Sequence, residues 1–154
     1  MTITELKERS DISEDAKLNR FFGKFRELLK ELNERKLPDK IVETINKDIE
    51  ELNSTSLVGK ELKKLAYQKW TKILNLLMQE LKIVPKNRYR TIWLVLGMSV
   101  FGLPIGIVYG AAIGNIGLFP TGIGFGMAIG LLLGARLDKK AFKEGRQLGV
   151  DIRY

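Results

Sequence analysis

The side chains that most often carry catalysis are scarce in this sequence. Its 154 residues include no cysteine and no histidine, which excludes thiol nucleophiles, disulfides and imidazole acid–base chemistry. Neighbouring carboxylates such as Glu50 and Glu51 diverge on a helix, because adjacent positions point in different directions. The sequence therefore predicts a protein that is not an enzyme, and it indicates no metal site and no other cofactor.

Glycines are the residues whose spacing indicates a specific interaction. They recur at every fourth position in two runs. This spacing places them on one narrow helical face, where the missing side chains let another backbone approach closely. We predict that both faces are helix-packing surfaces, within one chain or between copies of it. The packing residues are Gly102, Gly106, Gly110, Gly114, Gly122, Gly126, Gly130 and Gly134.

The glycine runs lie in a long uncharged segment. No Asp, Glu, Lys or Arg occurs between Arg90 and Arg136, although charged residues make up 29% of the chain. One bilayer crossing needs about 20 apolar residues, so this segment is long enough for two. We predict a transmembrane hairpin over residues 86–136, with spans at about 91–112 and 119–136.

Proline interrupts the first predicted span. Pro104 has no backbone N–H, so the carbonyl of Val100 loses its partner in a regular α-helix. We therefore predict a kink at Pro104.

Positive charge surrounds the uncharged segment. Residues 1–85 carry 17 basic and 15 acidic side chains, a difference of +2; residues 86–90 add +3, and residues 136–154, with six basic and three acidic, add +3. A nucleic-acid-binding protein would concentrate its charge on one soluble face, so nucleic acid is not expected as a partner. Instead we expect contact with lipid headgroups. The membrane-flanking basic residues are Lys86, Arg88, Arg90, Arg136, Lys139 and Lys140.

The part before the hairpin has the pattern of amphipathic helices. Apolar residues recur at three- and four-residue spacing in three stretches, which are separated by a proline and by a polar turn. We predict a soluble helical domain over residues 13–85, as a bundle or a coiled-coil region, with Phe21, Phe22 and Phe25 in its core. A flexible arm over residues 1–12 would precede it, and a basic cytoplasmic tail over residues 137–154 would follow the hairpin. The predicted fold class is all-α.

The C-terminal half resembles a known class of protein. Its two glycine runs, with Gly97 before them and the stretch Asp138 to Leu148 after them, are similar to bacterial glycine-zipper proteins with two transmembrane spans. Such proteins mostly have no assigned activity, so the resemblance implies a membrane hairpin and a bacterial source but no mechanism. For the N-terminal helices, one alternative is a small bundle that resembles bacteriocin immunity proteins.

Two functional hypotheses fit these features. In the first, an integral membrane protein self-associates through its glycine faces into a homo-oligomer, and an ion-conducting pore is the extended form of this hypothesis. In the second, the hairpin only anchors the soluble helices, which bind a partner protein as an immunity or defence component would. Both hypotheses place the chain in the inner (plasma) membrane with the lipid bilayer as its first partner.

The distribution of charge predicts the topology. Basic residues lie at both ends of the hairpin and none lies in its turn, so the N-terminus and Tyr154 are expected on the same, cytoplasmic side. Reporter fusions at each terminus measure this directly. A periplasmic signal from either fusion would contradict the two-span topology.

Overall fold

The chain folds into two compact, largely helical units. The computed structural model describes residues 2–9, 12 and 15–151. The N-terminal unit comprises Met1–Val84 and Leu148–Tyr154, and the hairpin unit comprises Pro85–Gln147. In the described residues helices dominate both units, which confirms the all-α prediction.

Three helices form most of the N-terminal unit. They are α1 (Ala16–Glu34), α2 (Asp39–Ser54) and α3 (Gly59–Leu81). The Asp15 carboxylate accepts hydrogen bonds from the backbone N–H groups of Lys17 and Leu18 at 2.8 and 3.2 Å, so it caps the start of α1.

Aromatic rings fill the centre of this unit. The predicted core residues Phe21, Phe22 and Phe25 are all buried. Trp70 of α3 contacts this cluster edge-on, with 5.2 Å between its ring centroid and that of Phe25. Tyr67 stacks on Phe21 at 4.3 Å. These contacts join α1 to α3 through aromatic packing, which adds specific geometry to the burial of apolar area.

One buried carboxylate joins α2 to α3. Asp48 is 2% exposed, and its Oδ1 accepts hydrogen bonds from the Nζ atoms of Lys69 at 3.0 Å and Lys72 at 2.8 Å. Lys69 also binds Glu51 at 2.5 Å. Burial raises the pKa of Asp48, but the hydrogen bonds from Lys72 and Lys69 outweigh it and bring the pKa below its ordinary value of 3.8.

The first residues differ from the predicted flexible arm. In the described part of residues 1–12, Ile3, Leu6 and Ile12 are buried in the core of the N-terminal unit. The prediction was wrong because three apolar residues scattered through a polar stretch are too few to establish a helical or strand period. Residues 1, 10 and 11 of this segment lie outside the described part.

The predicted basic tail is also wrong as a separate segment. The last helix continues to Lys143, and strand β2 (Gln147–Asp151) then pairs with strand β1 (Val84–Lys86) in a two-stranded sheet. Leu148 and Val150 of β2 belong to the core of the N-terminal unit. Their alternation is too short to predict a strand from sequence. Residues 152–154 lie outside the described part.

Two long apolar helical stretches form the hairpin unit. The first contains α4 (Arg88–Leu96), a π-helical segment (Gly97–Gly102) and α5 (Leu103–Ile113). The second contains a short 3₁₀ turn (Ile116–Leu118) and α6 (Phe119–Lys143). By length and composition each is able to cross a membrane, over Arg88–Ile113 and Ile116–Lys143, so both extend beyond the predicted spans.

The substitution Asp48→Asn should lower the stability of the N-terminal unit. It removes the charge that Lys69 and Lys72 bind, at a cost of about 1–3 kcal/mol at neutral pH. The folded pKa of Asp48 lies below the unfolded value, so its contribution is present above about pH 4 and is lost as the pH falls through the folded pKa. Thermal unfolding followed by tryptophan fluorescence at pH 7 and pH 3 measures both effects.

The matched control is Glu50→Gln, an exposed carboxylate on the same helix. It should change the unfolding temperature little at either pH. A stability difference between Asp48→Asn and the wild type that is equally large at pH 3 would contradict the role assigned to the charge.

Candidate functional site

The contact between the two apolar stretches is the most constrained part of the hairpin unit. Glycines occupy it almost throughout, and the predicted packing residues Gly102, Gly106, Gly110, Gly122, Gly126, Gly130 and Gly134 are buried. The surrounding side chains on both stretches, such as Val108, Phe125 and Leu132, are exposed. The unit therefore has an interior of backbone and an exterior of large apolar side chains.

The two backbones lie too close for any side chain between them. A Cβ atom placed on Gly122 would lie 2.5 Å from the carbonyl oxygen of Gly102, and one placed on Gly126 would lie 2.5 Å from the backbone nitrogen of Gly102. One on Gly134 would lie 2.5 Å from the Cα of Arg90. Real Cβ atoms essentially never approach other atoms so closely. The glycine faces of the two apolar stretches therefore meet within one chain.

Gly97 belongs to the same face, although its spacing from Gly102 is five residues rather than four. A Cβ on Gly97 would lie 2.9 Å from the Cα of Gly130. In a regular α-helix a step of five residues turns a side chain away from the face. The π-helical segment Gly97–Gly102 has the wider turn of i→i+5 hydrogen bonding, which brings Gly97 back into line with Gly102.

Pro104 lies immediately after the π-helical segment. The N–H of Leu103 donates to the carbonyl of Met98, five residues earlier, and Pro104 then occupies the first turn of α5. A missing N–H costs least in a first turn. The backbone thus accommodates the proline by a change of hydrogen-bonding register, at the place where the sequence predicts a kink.

Gly114 has a different role from the predicted one. It has φ +72° and ends α5 in the left-handed conformation, and a Cβ there would meet nothing within 4 Å. It is therefore a helix C-cap in the turn rather than a packing residue. Gly124 also has open space around it, and it lies on the exposed side of α6.

A carboxylate continues the glycine face of α6. Asp138 follows Gly134 by four residues and is 8% exposed. Its Oδ1 accepts a hydrogen bond from the backbone N–H of Tyr89 at 3.1 Å, and its Oδ2 accepts one from that of Arg90 at 2.9 Å. Asp138 thus caps the N-terminus of α4 from the other helix. This role was not predicted from the sequence, because only the four-residue register connects Asp138 to the glycines.

The predicted membrane-flanking basic residues lie at the end of the hairpin that Asp138 closes. Lys86, Arg90, Arg136, Lys139 and Lys140 are exposed, and Arg88 is partly exposed. The opposite end is the uncharged turn, where Asn115 accepts a hydrogen bond from the N–H of Gly117 at 3.0 Å. The hairpin unit therefore has one basic end and one uncharged end.

Hydroxyl groups in the apolar stretches bond to their own helices. Ser99 Oγ donates to the carbonyl of Val95 at 3.0 Å, and Thr121 Oγ1 donates to that of Leu118 at 2.7 Å. Neither hydroxyl bridges the two stretches. The interhelical contact consequently depends on backbone packing and on Asp138.

Comparisons with protein-family models, with curated proteins and with solved structures gave no match. The resemblance to bacterial glycine-rich two-span proteins therefore stays a prediction. Functional inference rests on the geometry of the chain itself.

The substitution Gly126→Ala should separate the two apolar stretches. Its Cβ would meet the backbone N and Cα of Gly102 at 2.5 and 2.6 Å, and neither atom is the end of a flexible side chain that could move aside. We expect the free energy of unfolding to fall by about 1–3 kcal/mol, the usual cost of overpacking. A lower unfolding temperature in detergent measures this change. Gly124→Ala is the matched control two residues away, and it should change little. Equal effects of both substitutions would contradict the backbone contact.

Proposed function

We propose that this chain is a two-span membrane anchor that presents a helical protein-binding domain at the cytoplasmic face of a bacterial inner membrane. The hairpin unit is the anchor, and the N-terminal unit is the binding part. This corresponds to the second of the two hypotheses from the sequence.

The observation that carries the proposal is the closure of the glycine faces on each other. Gly122 and Gly126 meet the backbone of Gly102 within the same chain. In lipid, helices associate through close van der Waals contact, because the hydrophobic effect gives little between apolar surfaces. A hairpin that satisfies this contact internally is complete as a single copy.

The exterior of the hairpin unit supports insertion into lipid. It exposes large apolar side chains around both stretches, in an amount that is unusual for a surface in contact with water. The hydroxyls of Ser99 and Thr121 donate to carbonyls of their own helices, which meets the requirement that polar groups in hydrocarbon have partners. The basic end fits the cytoplasmic side.

The N-terminal unit has the properties of an independent binding domain. It has its own apolar core around Phe25 and Trp70. A shallow groove along α3 is lined mainly by uncharged polar and apolar groups, with Tyr67 and Leu76 partly buried in it. Surfaces of this mixed character, with aromatic residues, are typical of protein interfaces.

Self-association of the hairpin is a second candidate, because one small-residue face is still free. A Cβ placed on Gly124 would meet no neighbouring element of the described residues within 4 Å, and Ala128 is exposed one turn later. Spacing of four between small residues favours contact with another helix in lipid. Self-association through this face, and ion conduction by an assembly, stay predictions.

The decisive experiment extracts the full chain from membranes and measures its mass and conductance. An anchor stays with the membrane after an alkaline wash, has a mass in mild detergent that does not depend on the glycine faces, and gives no current in planar bilayers. Gly124→Leu should leave all three results unchanged.

Other results separate the candidates. Release by the alkaline wash would contradict the anchor. A larger mass that Gly124→Leu reduces would favour the homo-oligomer, and discrete currents that the same substitution alters would favour the pore.

A further inference from the structure

Three asparagine side chains bind the backbone of the N-terminal segment, residues 2–9. Asn33 of α1 accepts from the N–H of Ile3 at 2.7 Å and donates to its carbonyl at 3.2 Å. Asn46 of α2 accepts from the N–H of Thr4 at 2.7 Å and donates to the carbonyl of Thr2 at 3.0 Å. A side-chain amide has the same kinds of donor and acceptor as a peptide group. Each asparagine therefore makes the hydrogen bonds that a peptide group of a neighbouring strand would make.

Asn53 repeats this pattern two turns along α2. It accepts from the N–H of Lys7 at 2.9 Å and donates to the carbonyl of Glu5 at 2.9 Å. Asn46 and Asn53 are seven residues apart and so lie on one face of the helix. The three amides therefore recognise the backbone of an extended peptide and not its side-chain sequence.

Two buried apolar side chains and one arginine of the segment make the remaining contacts that hold it. Ile3 and Leu6 are each 5% exposed. Arg9 donates to the carbonyls of Thr55 and Leu57 at 2.9 and 2.8 Å. Recognition thus combines backbone hydrogen bonds with two apolar anchors, as in other proteins that bind extended peptides.

Two surface clefts flank the segment. Clefts of about 280 and 270 Å³ lie beside Leu6 and Ile3. Arg26 lines the cleft beside Leu6, and its Nε is buried without a hydrogen-bond partner among the described residues. The site has the character of an occupied groove between α1 and α2.

We propose that this groove is a receptor site for an extended peptide, and that the N-terminal segment of a second copy of the chain occupies it in exchange for the resident one. The second copy carries the one sequence already seen to fit, so both arrangements make the same contacts. Such exchange is a low-cost route to a symmetric pair, and confinement of two anchored copies to one membrane raises their effective concentration. The proposal rests on the proposed role of the N-terminal unit as the binding part.

The first test measures binding of a labelled synthetic peptide of residues 2–9 to the full chain in detergent. Thr4→Pro removes the N–H that donates a hydrogen bond to Asn46, and it leaves Ile3 and Leu6 unchanged. It therefore weakens the binding of the chain's own N-terminal segment. We expect the peptide to bind this variant about fivefold more tightly than the wild type. Thr2→Pro is the matched control, because Thr2 contributes its carbonyl, which proline keeps, to the contact with Asn46.

The second test uses the absence of native cysteine. One copy carries Thr4→Cys and the other carries Glu50→Cys, which lies between Asn46 and Asn53 on α2. In membranes that contain both copies, a short bifunctional thiol reagent should join them. Adding Asn46→Leu and Asn53→Leu to the second copy should abolish the mixed product, whereas Asn75→Leu on α3 should not.

Each outcome decides the proposal. A peptide that binds neither Thr4→Pro nor the wild type, together with no mixed product, would overturn the receptor site. Peptide binding without a mixed product would overturn the second copy as its occupant. If Thr4→Pro does not fold, the mixed product alone decides, because it uses the unaltered backbone. Failure of the membrane anchor would appear separately, as release of the chain by the alkaline wash.

Discussion

The close approach of two backbones in the hairpin unit is the constraint from which its other features follow. Contact without side chains requires glycine wherever the helices cross, and it requires those glycines to stay on one face over the whole length. The π-helical segment keeps Gly97 on that face. Asp138 then fixes the open end, where its carboxylate caps α4. Sequence spacing, helix type and capping thus all serve one interface.

Much of this interface could be predicted from the sequence, because a four-residue repeat has a single geometric meaning on a helix. That Gly122 and Gly126 take part in a helix contact follows from it, whereas the repeat leaves open whether the contact lies within one chain or between copies. Gly97 could not be predicted, since a five-residue step joins the face only when the helix widens locally. Gly114 belongs to the same four-residue repeat but lies where the helix ends. The repeat alone does not show at which residue a helix ends.

The N-terminal unit illustrates a different limit of prediction. Its helices and the burial of Phe21, Phe22 and Phe25 follow from apolar periodicity. The position of residues 2–7 on α1 and α2 does not follow from periodicity, because the asparagine amides bind backbone groups that every residue has. The sequence of residues 2–7 therefore does not predict their contact with the asparagine side chains. The sequence feature that relates to this contact lies in the helix that binds the segment, where Asn46 and Asn53 of α2 are seven residues apart.

The two kinds of contact also differ in what they leave available to other molecules. The glycine face is closed within the chain, and a helix that entered it would have to displace backbone contacts that have no substitute in lipid. The asparagine groove holds its occupant by hydrogen bonds that another extended backbone can replace one for one, and the net value of each is only about 0.5–1.5 kcal/mol. Exchange is therefore far easier in the groove than in the hairpin. For this reason we assign the proposed binding of a partner to the N-terminal unit and not to the glycine-rich hairpin.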